Sequence, residues 1–284
     1  MKVAHACVIC GSTELTKKIG QFFPFIAHKV ADYPICHVRL GDQMMFPPLL
    51  TNAIRCRSCG FCFSQLRFDE DEMASLYSGY RGPEYTRTRS IYEPGYERLN
   101  PLIGNTPVEI ENRQAAVARF FTRLVDLAQM KSVLDHGGDR GQHIPRACEG
   151  ARRYVYELSD AEPLAGITKI SDLQAIGKVD FVMSANVLEL VPYPNLLMAE
   201  IRQVCTEQTI VFLDVPLEMS PADDLPESEI PAAFHEHINF FTPRSLAALI
   251  YHSGFRSLKM EVVEIDEQWR IAVQIFAAAR LADG

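Results

Sequence analysis

From Ser132 onward the chain alternates between two hydrophobic rhythms. Short runs rich in Val, Ile, Phe and Leu read as strands: "SVLDHGG", "RYVYELS", "GITKIS", "VDFVMSANV" and "TIVFLDVP". Between them, "YPNLLMAEIRQVC" puts Leu196, Leu197, Ile201 and Val204 on one helical face. "TPRSLAALIYHSGF" reads as a second helix, capped by Thr242, with Pro243 in its first turn and Gly254 past its end. Strands that alternate with helices build a mostly parallel sheet covered by those helices. The final runs, "SLKMEVVEIDE" and "WRIAVQIFAAAR", are joined so tightly that they must be antiparallel neighbours. The expected fold class is therefore α/β, a mostly parallel sheet with an antiparallel C-terminal hairpin. Ahead of it, "EIENRQAAVARFFTRLVDLAQM" repeats Val117, Phe120, Phe121, Leu124, Leu127 and Ala128 at helical spacing.

The first strand runs into a glycine turn. "VLDHGGDRG" places Asp135 at the strand end, then Gly137, Gly138 and Gly141 before an expected helix. Such a turn lets backbone approach a ligand at the carboxyl edge of a parallel sheet. Glu157 ends the second strand, where an acid can accept both hydroxyl hydrogens of a ribose. Asp172 follows the third strand, placed to accept from an exocyclic adenine amine. After the fourth strand, "SANVLELV" turns back toward the same crevice. A dinucleotide turn needs G-x-G-x-x-G, which is absent here.

The series resembles the class I S-adenosylmethionine-dependent methyltransferases. "SVLDHGGDRG" looks like their first motif, D-x-G-x-G-x-G. Glu157, with Leu158 in "YELS", stands where the family has its ribose-binding acid. Asp172 and Leu173 sit where the family contacts adenine. "VDFVMSANVLELVPYP" is similar to the family's "FD-hydrophobic-run-LEH-V-P" segment. The resemblance covers about residues 108 to 280. It implies a Rossmann-like sheet and S-adenosylmethionine as cofactor. The residues implied to hold it are Asp135, Gly137, Gly138, Asp139, Gly141, Glu157, Leu158, Asp172, Leu173, Ala185 and Asn186. Two positions depart from the family: Asp139 replaces the central glycine, and Leu190 replaces the histidine that usually follows Glu189.

The N-terminal region is of another kind, rich in Cys, Pro and aromatics and poor in helical periodicity. The chain has eight cysteines. Nothing in "MKVAHACVICGSTEL" reads as a secretory leader, so a cytoplasmic location is expected and close Cys pairs point to metal rather than disulfides. Cys7-Val-Ile-Cys10 and Cys56-Arg-Ser-Cys59 are two C-x-x-C knuckles, followed by Gly11 and Gly60. Four thiolates from two tight turns suit tetrahedral Zn²⁺, and a closed four-sulfur shell is structural rather than catalytic. The rival reading is two unrelated buried pairs. Cys36, Cys62, Cys148 and Cys205 lack paired spacing, and His5, His28 and His37 are not needed as ligands. The expected organisation is a zinc-binding domain at 1–65, a Tyr/Arg-rich connection at 66–107, and a methyltransferase domain at 108–284.

The segment "FHEHINFF" sets His235 and His237 around Glu236. Histidines at i and i+2 cannot form the helical zinc-protease motif, which needs i and i+4. The bland alternative leaves these side chains on a solvated face, with Phe234, Ile238 and Phe240 in the core. The Cys pairs, the Tyr-rich connection and this segment together resemble the zinc-bearing sugar C-methyltransferase group. That group carries Tyr-His-Glu-His here; Phe234 holds the tyrosine position. The resemblance implies Glu236 and His237 as acid/base residues, with His237 the base, Glu236 orienting it and His235 secondary. It also implies Tyr77, Tyr80 and Tyr85 covering cofactor or substrate. The acceptor it implies is a small molecule, a nucleotide-linked sugar. Because the group usually carries a further C-terminal domain beyond the hairpin, a polysaccharide precursor is a second candidate. A formal charge of −8 argues against a nucleic-acid partner, and no run approaches the roughly 20 apolar residues of a membrane span. A binding module without turnover and a protein acceptor remain as rival classes.

Overall fold

The computed structural model describes residues 1–31, 38–40, 43–45, 48–220 and 227–282; Cys36 and His37 lie outside them. The N-terminal part is a small β structure. β1 (Lys2–Val3) pairs with β7 (Leu66–Arg67), and β3 (Val38–Leu40) with β4 (Gln43–Met45). β2 (Leu15–Phe22), β5 (Leu49–Cys56) and β6 (Cys62–Ser64) form an antiparallel sheet. A helix also lies here, α1 (Pro24–Ala31), contrary to the expectation of little helix; it buries Phe25, Ile26, Ala27 and Val30.

The connection forms α2 (Glu70–Tyr77), α3 (Pro83–Tyr92) and α4 (Tyr96–Leu99). Asp69 and Glu72 close a capping box at the start of α2. Then comes α5 (Pro107–Phe121), capped by Thr106. It stops well before Met130, where the periodicity ran on, because Arg123 turns left-handed at φ 65° and Asp126 caps a separate 3₁₀ turn.

The large sheet uses β8 (Ser132–His136), β9 (Arg152–Tyr156), β10 (Ile167–Ile170), β11 (Phe181–Ala185), β12 (Ile210–Pro216), β15 (Phe255–Asp266) and β16 (Ile271–Leu281). Its order is β10-β9-β8-β11-β12-β16-β15, and β16 alone runs against the others. Alternate residues point to opposite faces. Leu134, Val182 and Leu213 pack toward α6 (Pro194–Gln203) and α7 (Pro243–His252). Val133, Phe181 and Phe212 pack toward Phe120 and Phe121 of α5. Burial on both faces explains why these strands read as continuous apolar runs rather than alternating ones.

The helix expected after the glycine turn is absent. Residues 137–151 form turns and one short 3₁₀ helix, Arg146–Cys148. Gly137, Asp139 and Gly141 are all left-handed, and Pro145 supplies no N–H, so no run long enough for α-helix remains.

Two short strands from the C-terminal half join the N-terminal sheet. β13 (Ala233–Phe234) pairs parallel with β2, and β14 (Asn239–Phe240) pairs antiparallel with β6. They are opposite edges of a five-stranded sheet, ordered β13-β2-β5-β6-β14. Laid flat, those edges would stand about 19 Å apart. The five residue steps from Phe234 to Asn239 reach about 17 Å when fully stretched. The sheet must curl, and it does: the Phe234 and Phe240 rings are 5.7 Å apart. His235, Glu236 and His237 therefore bridge the mouth of a curled sheet.

Candidate active site

A parallel sheet binds ligands where its strand order reverses, outside the carboxyl ends. Here that point lies between β8 and β11, and the acids of the glycine-turn side gather there. Asp135 is fully buried, and neither carboxylate oxygen has a hydrogen-bond partner among the described residues. Burial, with the nearby Glu157 and Asp139 charges, pushes it up to about 8. A Cβ on Gly138 would stand 2.1 Å from the Asp135 carboxyl carbon, so only glycine leaves that carboxylate in place. Asp139 sits at φ 53°, the conformation that the family's glycine adopts freely and that Asp tolerates better than most side chains. Its N–H donates to Glu157 Oε2 at 3.0 Å, and its carboxylate turns toward Gln142. Glu157 Oε1 accepts from the Ser159 N–H at 2.8 Å, which fixes the acid at the strand end.

The neighbouring positions are more open. Leu158 is 85% exposed, an apolar side chain standing in solvent beside Glu157. Asp172 is exposed and caps the 3₁₀ turn that buries Leu173. Ala185 and Asn186 are half-buried at the end of β11; Asn186 is left-handed and its N–H donates to the Asp214 carbonyl. An unpaired carboxylate, an anchored acid and a bare apolar side chain fit a ligand with a cationic end, a diol and an apolar base.

The "FHEHINFF" residues belong to a second cluster. Glu236 accepts from the Tyr85 hydroxyl at 2.7 Å and from Arg89 at 3.2 Å. Burial acts to raise Glu236, but Arg89, His235 and Tyr85 overcome it and hold the carboxyl below its usual range. His235 Nδ1 accepts the Glu236 N–H at 2.8 Å, so its other nitrogen carries the proton, toward Glu93. Arg89 is the hub: it also donates to Glu93 at 2.8 Å and lies 3.9 Å over the Tyr96 ring. Tyr85 is thus occupied on the Glu236 side. Tyr77 differs: its hydroxyl is buried without a partner among the described residues and feels the charges of Glu236, Glu189 and Glu157, so it stands between the two clusters.

His237 departs from expectation. Its carboxylate partner is Glu218, at 2.7 Å from Nδ1, not Glu236. Burial acts to lower it, but Glu218, Glu189 and Glu236 raise it to about 9. A ring held in its charged form offers a proton, whereas the resemblance implies a base. Glu218, Arg89 and Glu93 escape sequence reasoning. Arg89 and Glu93 stand four apart at the C-terminal end of α3, which looks like an ordinary surface pair.

At the other end, the sulfurs of Cys7, Cys10, Cys56 and Cys59 lie within 4.8 Å of one another. Cys7 and Cys59 are 3.7 Å apart, Cys10 and Cys56 3.6 Å. A disulfide needs about 2.05 Å. Sulfurs at about 2.3 Å around a tetrahedral zinc ion stand about 3.8 Å apart, so the spacing fits such an ion. The site lies close to the bridging segment: Phe61 packs on Phe241, and Arg244 donates to the Ser58 carbonyl.

Residues 110–259, just over half of the chain, match the model of a family described as a methyltransferase domain. No curated protein matches the chain at a significant level. Among solved structures, the chain is similar to the 1,6-didemethyltoxoflavin-N1-methyltransferase of Burkholderia thailandensis with bound 1,6-didemethyltoxoflavin and S-adenosylhomocysteine. The identity is 14%, 87% of this chain and 99% of that one are covered, and the TM-score is 0.51. A glycopeptide N-methyltransferase complexed with S-adenosylmethionine shares 13% identity over 63% of this chain and 96% of its own, at a TM-score of 0.45.

Proposed function

Because the chain belongs to the methyltransferase domain family, we propose that it transfers a methyl group from S-adenosylmethionine to a small-molecule acceptor. The observation that carries this reading is the buried, unpaired Asp135 carboxylate at the point where the strand order reverses. Asp135 and the turn through Gly138 would hold the aminoacid end of the cofactor. Glu157 would hold the ribose, with Leu158, Asp172 and Leu173 around the adenine. When bound, the cofactor supplies an electrophilic methyl carbon on a sulfonium.

The rest is the work of the chain. His237, kept charged by Glu218, holds an oxygen of the acceptor that gains negative charge. Glu236, ionised and fixed by Arg89 and Tyr85, stands ready to accept a proton leaving the acceptor. The acceptor class is a nucleotide-linked sugar or polysaccharide precursor, on the likeness of the Cys pairs and "FHEHINFF" to the sugar C-methyltransferases. The zinc-binding domain (1–65), the connection (66–107) and the methyltransferase domain (108–284) would then meet at one site, with 233–240 crossing to the first.

S-adenosylhomocysteine binding, followed by labelled methyl transfer to a panel of nucleotide-sugars, tests the reading. Absence of binding would leave a non-catalytic module instead. The pH dependence of binding is a sharper check. In the free chain Asp135 keeps its proton up to about 8, and a ligand ammonium favours the ionised form. Affinity should therefore strengthen from pH 6 to pH 8, by at most about tenfold per unit, and flatten in Asp135→Asn. Equal affinity at both pH values would sink this assignment.

We further propose that Cys7, Cys10, Cys56 and Cys59 hold one structural Zn²⁺. Elemental analysis should give about one zinc per chain. Cys56→Ser should lose it and unfold the N-terminal sheet, seen as protease cleavage within residues 1–65. Unchanged zinc in that variant contradicts the assignment.

A further inference from the structure

Glu189 is only 1% exposed, yet neither of its carboxylate oxygens has a hydrogen-bond partner among the described residues. Its backbone carbonyl is fully used. The Glu189 carbonyl accepts from the N–H groups of Ile238 at 2.9 Å and Asn239 at 3.1 Å. The Asn239 amide donates back to the carbonyls of Leu188 at 2.8 Å and Val191 at 2.7 Å. The turn is clamped from both sides, which fixes the backbone that carries this buried carboxyl.

The charged and titratable groups that face it come from four elements: Tyr77 of α2, Asp214 of β12, Glu218 after β12, and His237 of the bridging segment. None of them bonds it. Asp135, the other buried carboxylate left bare, faces Glu157 and Asp139 on the cofactor side. Glu189 is its counterpart on the His237 side. A buried carboxyl without hydrogen bonds is costly. Such a group persists where a ligand supplies the missing partner.

We propose that Glu189 binds the acceptor, its carboxyl hydrogen-bonding a carbonyl or hydroxyl oxygen beside His237. The inference rests on the methyl-transfer reading and names the residue that selects the acceptor. Burial raises Glu189 to about 8, with Asp214 and Glu218 adding to the rise and His237 opposing it. At neutral pH it is a carboxylic acid able to donate. An acceptor lacking that oxygen would leave the carboxyl unpaired, which is how a polar site rejects a near analogue.

The test compares wild type, Glu189→Gln and Glu189→Leu. S-adenosylhomocysteine affinity, by calorimetry, should agree within about twofold across the three, because the cofactor contacts lie elsewhere. Without ligand, Glu189→Leu should melt about 2–4 °C above wild type, since it removes a bare polar group at similar volume. With S-adenosylhomocysteine present, a thymidine-diphosphate-linked 4-keto-6-deoxyglucose should raise the wild-type melting temperature. That shift should survive in Glu189→Gln and vanish in Glu189→Leu.

A melting temperature more than about 5 °C below wild type in Glu189→Leu, or equal probe shifts in wild type and Glu189→Leu, would make Glu189 structural and overturn the proposal. If the probe fails to shift wild type, the melting order of the three forms decides alone. Failure of S-adenosylhomocysteine to bind any form would instead overturn methyl transfer itself.

Discussion

Replacing His237 with alanine is expected to lower turnover by about 10²–10⁴-fold, the usual range for a positioned proton-transfer group, while S-adenosylhomocysteine still binds. The expectation follows from three observations. The imidazole is held by Glu218 at 2.7 Å. It sits at the mouth of the curled sheet, between β13 and β14. It faces Glu189 and Glu236, and Glu218 is the main support that keeps it charged up to about pH 9. The sign of the pH profile then separates two roles. As a donor to the acceptor oxygen, His237 loses function as pH rises through about 9, so turnover should fall there. Were it the base, turnover should rise through the same window. Glu218→Gln removes the main support of the charge and should move that limb to lower pH. A limb that stays in place in Glu218→Gln, or full activity in His237→Ala, would remove His237 from the mechanism.

The second large effect is on stability. Arg67 is completely buried and has no carboxylate partner among the described residues. Its guanidinium donates to the carbonyls of Pro192 at 2.7 Å and Ser64 at 3.0 Å, and to Asn239 Oδ1 at 2.6 Å. Burial lowers it to about 9. One side chain thus joins the N-terminal sheet, the turn after Glu189 and the strand after His237. Arg67→Ala would strand three acceptors, two of them buried, and leave a cavity. The expected cost is about 3–5 kcal/mol, a fall in melting temperature of at least about 6 °C for a chain of this size. Arg67→Met keeps volume but not the bonds and should fall similarly. Arg67→Lys should recover only part, because an ammonium cannot serve a planar set of acceptors as a guanidinium fork does. A loss under about 1 kcal/mol in Arg67→Met, read from urea unfolding, would show that water replaces those bonds.

Much of the fold was legible because its signals are local. β8, β11 and β12 announced themselves as apolar runs, which is what strands buried on both faces must be. α7 carried its own cap and stop: Thr242 bonds the Ser245 N–H, and Gly254 is left-handed. The missing helix after the glycine turn shows the limit. The strand and glycine turn suggested it, but Pro145 and three left-handed residues were the stronger local facts. α5 fails in the same way at Arg123, whose backbone conformation no periodicity reveals.

By itself the sequence determined the main strands of the large sheet and the helices α6 and α7, where the glycine turn meets the first strand, and which four cysteines come in knuckles. Each depends on neighbours a few residues apart: strand and helix periods, caps, turn chemistry and ligand spacing. The tertiary structure alone decided what each functional group faces. His235 meets Glu93 and Glu236 meets Tyr85 across well over a hundred residues, and His237 finds Glu218 rather than Glu236. "FHEHINFF" proved to be the bridge between two edges of the N-terminal sheet. Asp135 and Glu189 became buried acids without partners only once the chain had closed around them. Protonation and pairing depend on burial and on fields from distant segments, and those exist only in the assembled molecule.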